Sequence, residues 1–207
     1  MQQEFIDRFF SDGILRISSF NRFRSYPDEV RGDKAEGGGV INARGESEGF
    51  TFHLMTAAGE NGYMLSASLE SSLALAKQFE TDSHFAILDP LGFATAISNA
   101  IPGIAQSFLG FCNYQPHRMI EKHVSGLSVA DFTDEEGEII IGGSGMTSRV
   151  GQMIGTGIDL MFLKEQRYQY QAEFRFVWTI NTAFFGVEEH RDIECKEAVQ
   201  FCEKRGS

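Results

Sequence analysis

The chain has 207 residues, 42% hydrophobic and 23% charged, which suits one sizeable core and excludes a disordered, collagen-like or low-complexity chain. Eighteen basic residues against 29 acidic ones give a net charge of −11, which argues against a broad phosphate-binding surface. No apolar run nears the ~20 residues that span a bilayer, and Glu4 and Asp7 precede any hydrophobic stretch, so a soluble cytoplasmic protein with no membrane partner is expected.

Phe5, Ile6, Phe9 and Phe10 form a helical stripe over 2–10, ended by Ser11-Asp12-Gly13. A strand over 14–18 follows, and then a polar, glycine-rich loop over 21–39. Strands are expected at 40–43, 49–54 and 63–68, with a turn at Gly59-Glu60-Asn61-Gly62. Helix formers from Leu69 to Phe79 place a helix directly after the third strand, so Ser66-Ala67-Ser68 falls at their junction. Further on, a strand at 84–88, a helix at 92–101 and a strand at 107–114 are expected. The span 121–157 is less patterned, with an acidic run from Asp131 to Glu138 and one strand over Ile139-Ile140-Ile141. Residues 168–180 alternate Tyr168, Tyr170, Ala172, Phe174, Phe176 and Trp178 against Gln169, Gln171, Glu173 and Arg175, the pattern of a half-buried strand. An amphipathic helix fits the tail over 192–204, with Ala198, Phe201 and Cys202 inward.

Several familiar chemistries find no support. There is no G-x-G-x-x-G and no G-x-x-x-x-G-K-[ST], and Gly142-Gly143-Ser144-Gly145 lacks the last glycine of a nucleophile elbow because Met146 stands there. The five histidines and three cysteines (Cys112, Cys195, Cys202) lack zinc spacing, so no metal is expected and the thiols read as reduced core residues. Met146, Met153 and Met161 read as core filler. Six basic residues, Arg8, Arg16, Arg22, Arg24, Arg31 and Lys34, concentrate near the N-terminus.

A three-part pattern remains: Arg16 within the first strand, Ser66 and Ser68 at the end of a later strand, and Gln171-Ala172-Glu173 in the late aromatic segment. In that order these residues resemble the arginine, S-x-S and Q-x-E signature of mono-ADP-ribosyltransferases. The blocks F-x-S-D-G-I-L-R-I-S-S-F-N and K-x-x-x-Y-x-Y-x-x-E-F-R also resemble an uncharacterised bacterial domain family, in which the first block usually continues Asn-Asp-Pro-Phe where Arg22-Phe23 follow Asn21 here. The resemblance implies a single α/β domain over 1–207, of the α+β kind, with a split, bent β-sheet core and flanking helices. The wide spacing between Ser68 and Gln171 then requires a helical insertion around 85–145. It further implies NAD as substrate and transfer of ADP-ribose to RNA, DNA or protein, in the setting of a bacterial toxin or phage-defence effector with a possible antitoxin partner.

Within that resemblance Glu173 and Gln171 are the catalytic pair, and Arg16, Ser66, Ser68 and Phe79 bind NAD, with Arg22 or Arg24 assisting. Tyr63 and Phe85 are alternatives to Phe79 against the nicotinamide ring. Breaking the bond between nicotinamide and ribose builds positive charge on the sugar, which a fixed carboxylate offsets. Glu173 suits that task, Gln171 on the same strand face would orient the acceptor, and the Arg16 fork would grip the pyrophosphate. Each residue also has a plainer reading: Arg16 in a surface ion pair, Ser66 and Ser68 as helix caps, Gln171 and Glu173 on a wet strand face with Arg175 pairing across it. The rival functions are a noncatalytic binding module with a degenerate site, and a metal-dependent nuclease built on Asp131, Asp134, Glu135 and Glu136.

Overall fold

A computed structural model describes residues 1–27, 30, 32–45, 51–81, 83–140, 144–155, 157–181 and 187–205. In its first half the elements are α1 (Gln3–Asp12), β1 (Ile14–Ser19), α2 (Phe20–Ser25), β2 (Gly38–Arg44), β3 (Thr51–Ala57), β4 (Gly62–Ser68), α3 (Leu73–Gln78), β5 (His84–Ile87) and α4 (Pro90–Ala100). The second half adds β6 (Ile104–Phe111), β7 (Asn113–Gln115), β8 (Met119–His123), α5 (Ser144–Ile154), α6 (Ile158–Met161) and β9 (Leu163–Glu165). A 3-10 helix (Gln166–Gln171), β10 (Glu173–Ile180), β11 (His190–Glu194), α7 (Lys196–Val199) and β12 (Cys202–Arg205) complete it.

The architecture is mixed α/β with several sheets and no barrel. A five-stranded antiparallel sheet in the order β11-β1-β4-β10-β6 is the largest. A three-stranded sheet, β3-β2-β8, joins an antiparallel pair to a parallel one, and β5 with β12 and β7 with β9 make two-stranded pairs. Alternation along the central strands puts Leu15, Ile17, Tyr63, Phe176 and Trp178 on one face, where Phe9 of α1, Phe93 and Ile97 of α4, and Ala198 of α7 cover them. The opposite face carries Met64 and Val177 against Phe20, Met161 and Phe162, and it is on this side that the polar site forms. Two caps set how α1 and α4 meet the sheet. Gly13 ends α1 in the left-handed conformation, where any Cβ would run into the Lys196 backbone at 2.6 Å. Asp89 caps α4 by accepting from the Gly92 amide at 2.9 Å, with Pro90 at the first helical position.

Several sequence expectations change. The helix expected over 69–79 begins only at Leu73, capped by Ser72, so it does not follow β4 directly. The strand expected over 168–180 begins at Glu173, because 166–171 wind into a 3-10 helix and Ala172 turns the chain at φ 42°. The expected helical insertion is largely sheet: α4 lies there, but so do β6, β7 and β8, and β6 belongs to the central sheet. The tail over 192–204 is two short strands around a four-residue helix, and the loop over 21–39 contains most of α2. Ile139 bridges Thr133, while Ile141 lies outside the described residues. The three cysteines are free; burial pushes the Cys112 and Cys202 thiols up to about 12. Met153 and Met161 are buried, and Met146, partly buried, packs against the cluster that contains Met153. No helix among the described residues is long and apolar enough to cross a membrane.

Candidate functional site

The site grows from the register of β10. Arg175 stands opposite Ser66 on β4 and Gly110 on β6, two small residues that leave room for a guanidinium between the strands. Its side chain has no exposed surface, so each N–H needs an acceptor inside the protein. Nη1 and Nη2 form a fork on Glu36 at 2.7 and 3.0 Å, Nη1 also reaches the Met161 carbonyl at 2.5 Å, and Nε donates to Glu173 Oε1 at 2.7 Å. Glu36 is held in place by the turn before β2: its carbonyl accepts from Arg24 Nε at 2.7 Å and its carboxylate from the Gly37 amide at 3.2 Å.

Two residues before Arg175, on the same strand face, Glu173 receives three side-chain donors. Ser66 Oγ and Arg175 Nε share Oε1, at 2.5 and 2.7 Å, while Lys164 Nζ takes Oε2. Lys164 also donates to Gln171 Oε1 at 2.6 Å. The Gln171 amide in turn donates to the Val30 carbonyl at 3.2 Å and the Tyr170 hydroxyl at 3.3 Å. The Glu173 backbone amide donates to the Tyr114 hydroxyl at 2.8 Å, fixing the first residue of β10. Burial pushes the Glu173 carboxyl upward, but the charges and hydrogen bonds of Arg175 and Lys164 outweigh it and hold the group below the ordinary carboxylate range, at about 2. Two buried carboxylates thus face two buried cations and the network is neutral. A separate buried pair, Asp33 with Arg118, lies in the same turn region as Glu36.

A cavity of about 1210 Å³ runs along this network. Ser66, Ser68, Lys164, Gln171 and Glu173 line one part of it; Leu65, Ala67, Phe79, Phe85, Phe174 and Phe176 line another. Both faces of β4 contribute because β1 pairs with β4 only at Ser18 and Ser19, leaving the C-terminal half of β4 without that neighbour. The lining joins apolar and aromatic side chains on one face of β4 to an ionised carboxylate with hydroxyl and amide groups on the other, which is the make-up of a site for an organic ligand rather than for a bare ion.

Of the residues singled out from sequence, Glu173, Gln171, Ser66, Ser68 and Phe79 do meet along this cavity. Gln171 reaches Glu173 by a different route from the one expected: they share Lys164 rather than a strand face. Gln171 is 3% exposed, with its amide oxygen taken by Lys164 and its amide nitrogen by the Val30 carbonyl and the Tyr170 hydroxyl. Ser68 donates to the Gln171 carbonyl at 2.8 Å and accepts from the Glu70 amide at 3.1 Å, so it ties the 3-10 helix to β4 instead of capping α3. Phe85 lines the cavity; Tyr63 does not, being buried with its hydroxyl accepting from the Glu188 amide.

Arg16 stands apart from these residues. It lies outside the cavity lining, and its fork grips Asp192 of β11 at 2.7 and 3.1 Å, cross-strand from it. Arg22 pairs with Glu189, Arg24 is spent on backbone carbonyls and Asn21, and Arg31 lies outside the described residues. In the acidic run, Asp131 is occupied by Ser128 and Arg149, and Asp134 accepts from the Glu136 and Glu138 amides. Among the described residues no three His, Cys, Asp or Glu side chains group to hold a metal. The reading from sequence missed Lys164 and Glu36. Lys164 opens the late block K-x-x-x-Y-x-Y-x-x-E-F-R and had a signal there; Glu36, in a polar loop 139 residues from Arg175, had none. Compared with family models, curated proteins and solved structures, the chain gives no match.

Proposed function

We propose that the chain is an NAD-dependent ADP-ribosyltransferase acting on a macromolecule, in keeping with a toxin or defence effector, with Glu173 as its catalytic carboxylate. One observation carries this reading: an ionised, rigidly held carboxylate faces a cavity of dinucleotide size, with Ser66 beside it and the aromatic rings of Phe79 and Phe85 on the lining. In the reaction the bond between ribose and nicotinamide breaks, nicotinamide leaves with the bonding pair, and the ribose carbon takes the acceptor's nucleophile as that group gives up its proton. Positive charge builds on the sugar as the bond stretches, and a preorganised anion offsets it at no further cost of orientation. A carboxylate offers about four lone-pair directions. Ser66, Arg175 and Lys164 use three on Glu173, leaving one for a ribose hydroxyl. Pyrophosphate binding does not fall to Arg16 in this reading, because Asp192 holds that side chain.

The test is release of nicotinamide from NAD by the purified chain, with Ser66→Ala and Glu173→Gln beside it. Wild type should turn NAD over. Glu173→Gln should lose on the order of 10²-fold or more, as positioned electrostatic groups do; Ser66→Ala should lose less while keeping its near-UV circular dichroism. Turnover by a folded Glu173→Gln at the wild-type rate would remove the carboxylate from the chemistry. A second reading, a ligand-binding module without turnover, is favoured by the 6% exposure of Glu173 and by the commitment of Arg16 elsewhere. Saturable NAD binding without nicotinamide release selects it.

A further inference from the structure

β6 ends the central sheet, and among the described residues no strand pairs with its outer edge. Natural edges are usually guarded by charge, proline, a bulge or brevity. The eight residues of β6, Ile-Ala-Gln-Ser-Phe-Leu-Gly-Phe, contain no charge and no proline, their register shift against β10 is confined to Ile104–Gln106, and beyond it Leu109 and Phe111 are 37% and 66% exposed. A groove of about 520 Å³ runs beside the same edge, lined by Phe108, Gly110, Ile120, Ile158 and Phe162.

The hydrogen-bonding phase of that edge follows from the other side of the strand. The Cys112 amide donates to the Glu173 carbonyl at 3.0 Å, and Cys112, Gly110 and Phe108 share that phase toward β10. Ser107, Leu109 and Phe111 therefore turn their N–H and C=O groups outward. An antiparallel partner that sets Leu109 opposite its own Leu109 makes hydrogen-bonded pairs of these outward residues. It also places Phe111 opposite Ser107 and Phe108 opposite Gly110, a large side chain against a small one on both faces. The strand is thus complementary to itself in size, and no like charges meet across it.

We propose that a second copy of this chain pairs with the outer edge of β6, antiparallel about a two-fold axis at Leu109, joining two five-stranded sheets into one. The contact is isologous and closes at two subunits. Phe111 lines both the groove and the main cavity, so the second copy borders the cavity wall beside Phe111. The net charge of −11 repels two copies at long range, and with no ion pair across the edge, added salt tightens the association.

Sedimentation equilibrium of the full chain tests this. Wild type is expected as a concentration-dependent dimer that strengthens with salt. Leu109→Lys and Leu109→Glu, each folded by near-UV circular dichroism, should be monomers alone and a one-to-one dimer when mixed, since only the mixture pairs opposite charges on the axis. Hydrogen-bonded antiparallel partners lie ~5.5 Å apart at Cα and about as far at Cβ, within the span of a short bifunctional maleimide. Leu109→Cys should accordingly give a covalent dimer with that cross-linker that wild type does not, and this variant serves where the charged ones fail to fold. A wild-type monomer at all concentrations, a dimer that weakens with salt, or one that survives Leu109→Lys overturns the proposal.

Discussion

Arg175 is the residue on which the site turns. It bonds Glu36 and Glu173 at once, so removing it leaves two carboxylates, 2% and 6% exposed, with Lys164 as the one cation remaining in the network. Deleting one partner of a buried pair costs ~3–5 kcal/mol because the remaining charge stays unsolvated. Arg175→Met should lose about that much in urea unfolding, and Arg175→Met with Glu36→Gln should recover a measurable part, the double variant removing one of the stranded charges. If the losses simply add, the three groups are not the coupled unit their geometry describes. Such coupling is only half legible in a sequence. Glu173 and Arg175 sit two apart and announce a shared strand face, yet alternation predicts that face to be wet, and it is buried because Glu36, Met161 and Lys164 close over it. Nothing local to the polar loop around Glu36 marks it as an interior residue. Arg16 is the opposite case: a strand arginine, first in the order Arg16, Ser66-Ala67-Ser68, Gln171-Ala172-Glu173, is answered by Asp192 on the neighbouring strand, a partner 176 residues away that nothing near it in sequence announces.

At the scale of elements, strands with clean alternation or strong β formers were legible to within a residue or two, as β1, β4 and β5 show. The late segment was not. Tyr168, Tyr170 and Ala172 keep period two by composition, but Tyr168 and Gln171 are both drawn inward, which a flat strand cannot do and a 3-10 turn can. Ala172 absorbs the change of direction at φ 42°, where an L side chain costs roughly 1–2 kcal/mol. Glycine relieves that strain, while its greater freedom in the unfolded chain costs roughly 0.5–1 kcal/mol. Ala172→Gly should therefore be neutral or slightly stabilising in thermal unfolding. A loss of ~1 kcal/mol, usual for such a change within a helix, would mean that residue 172 does not hold the left-handed conformation. The placement of α3 has a similar physical cause: Leu69 pairs its amide with the Ala172 carbonyl and Glu70 its amide with the Ser68 hydroxyl, which keeps the chain out of the helix until Ser72 caps it.

For the whole molecule, the buried network makes folding depend on acid in a definite direction. Glu173 moves from an ordinary 4.5 in the unfolded chain to about 2 when folded, held there by Arg175 and Lys164 against the opposing effect of burial. A group whose pKa is lowered by folding adds stability that is fully present above its unfolded value, because the folded state then binds no more protons than the unfolded one. Below about 4.5 the unfolded chain begins to take up a proton that the folded chain refuses, and the contribution drains away until it is gone near 2. Asp192, lowered by Arg16, and Asp131, lowered by the Ser128 amide and Arg149, act in the same sense but lie nearer solvent, where screening weakens them. Stability should thus be flat at neutral pH and fall steeply through the acid range, and Glu173→Gln should flatten the fall while lowering the neutral plateau. Urea unfolding across that range, comparing the two proteins, measures both effects. Parallel curves for wild type and variant would mean that Glu173 titrates alike in the folded and unfolded states, which is incompatible with a carboxylate enclosed by two cations and a serine.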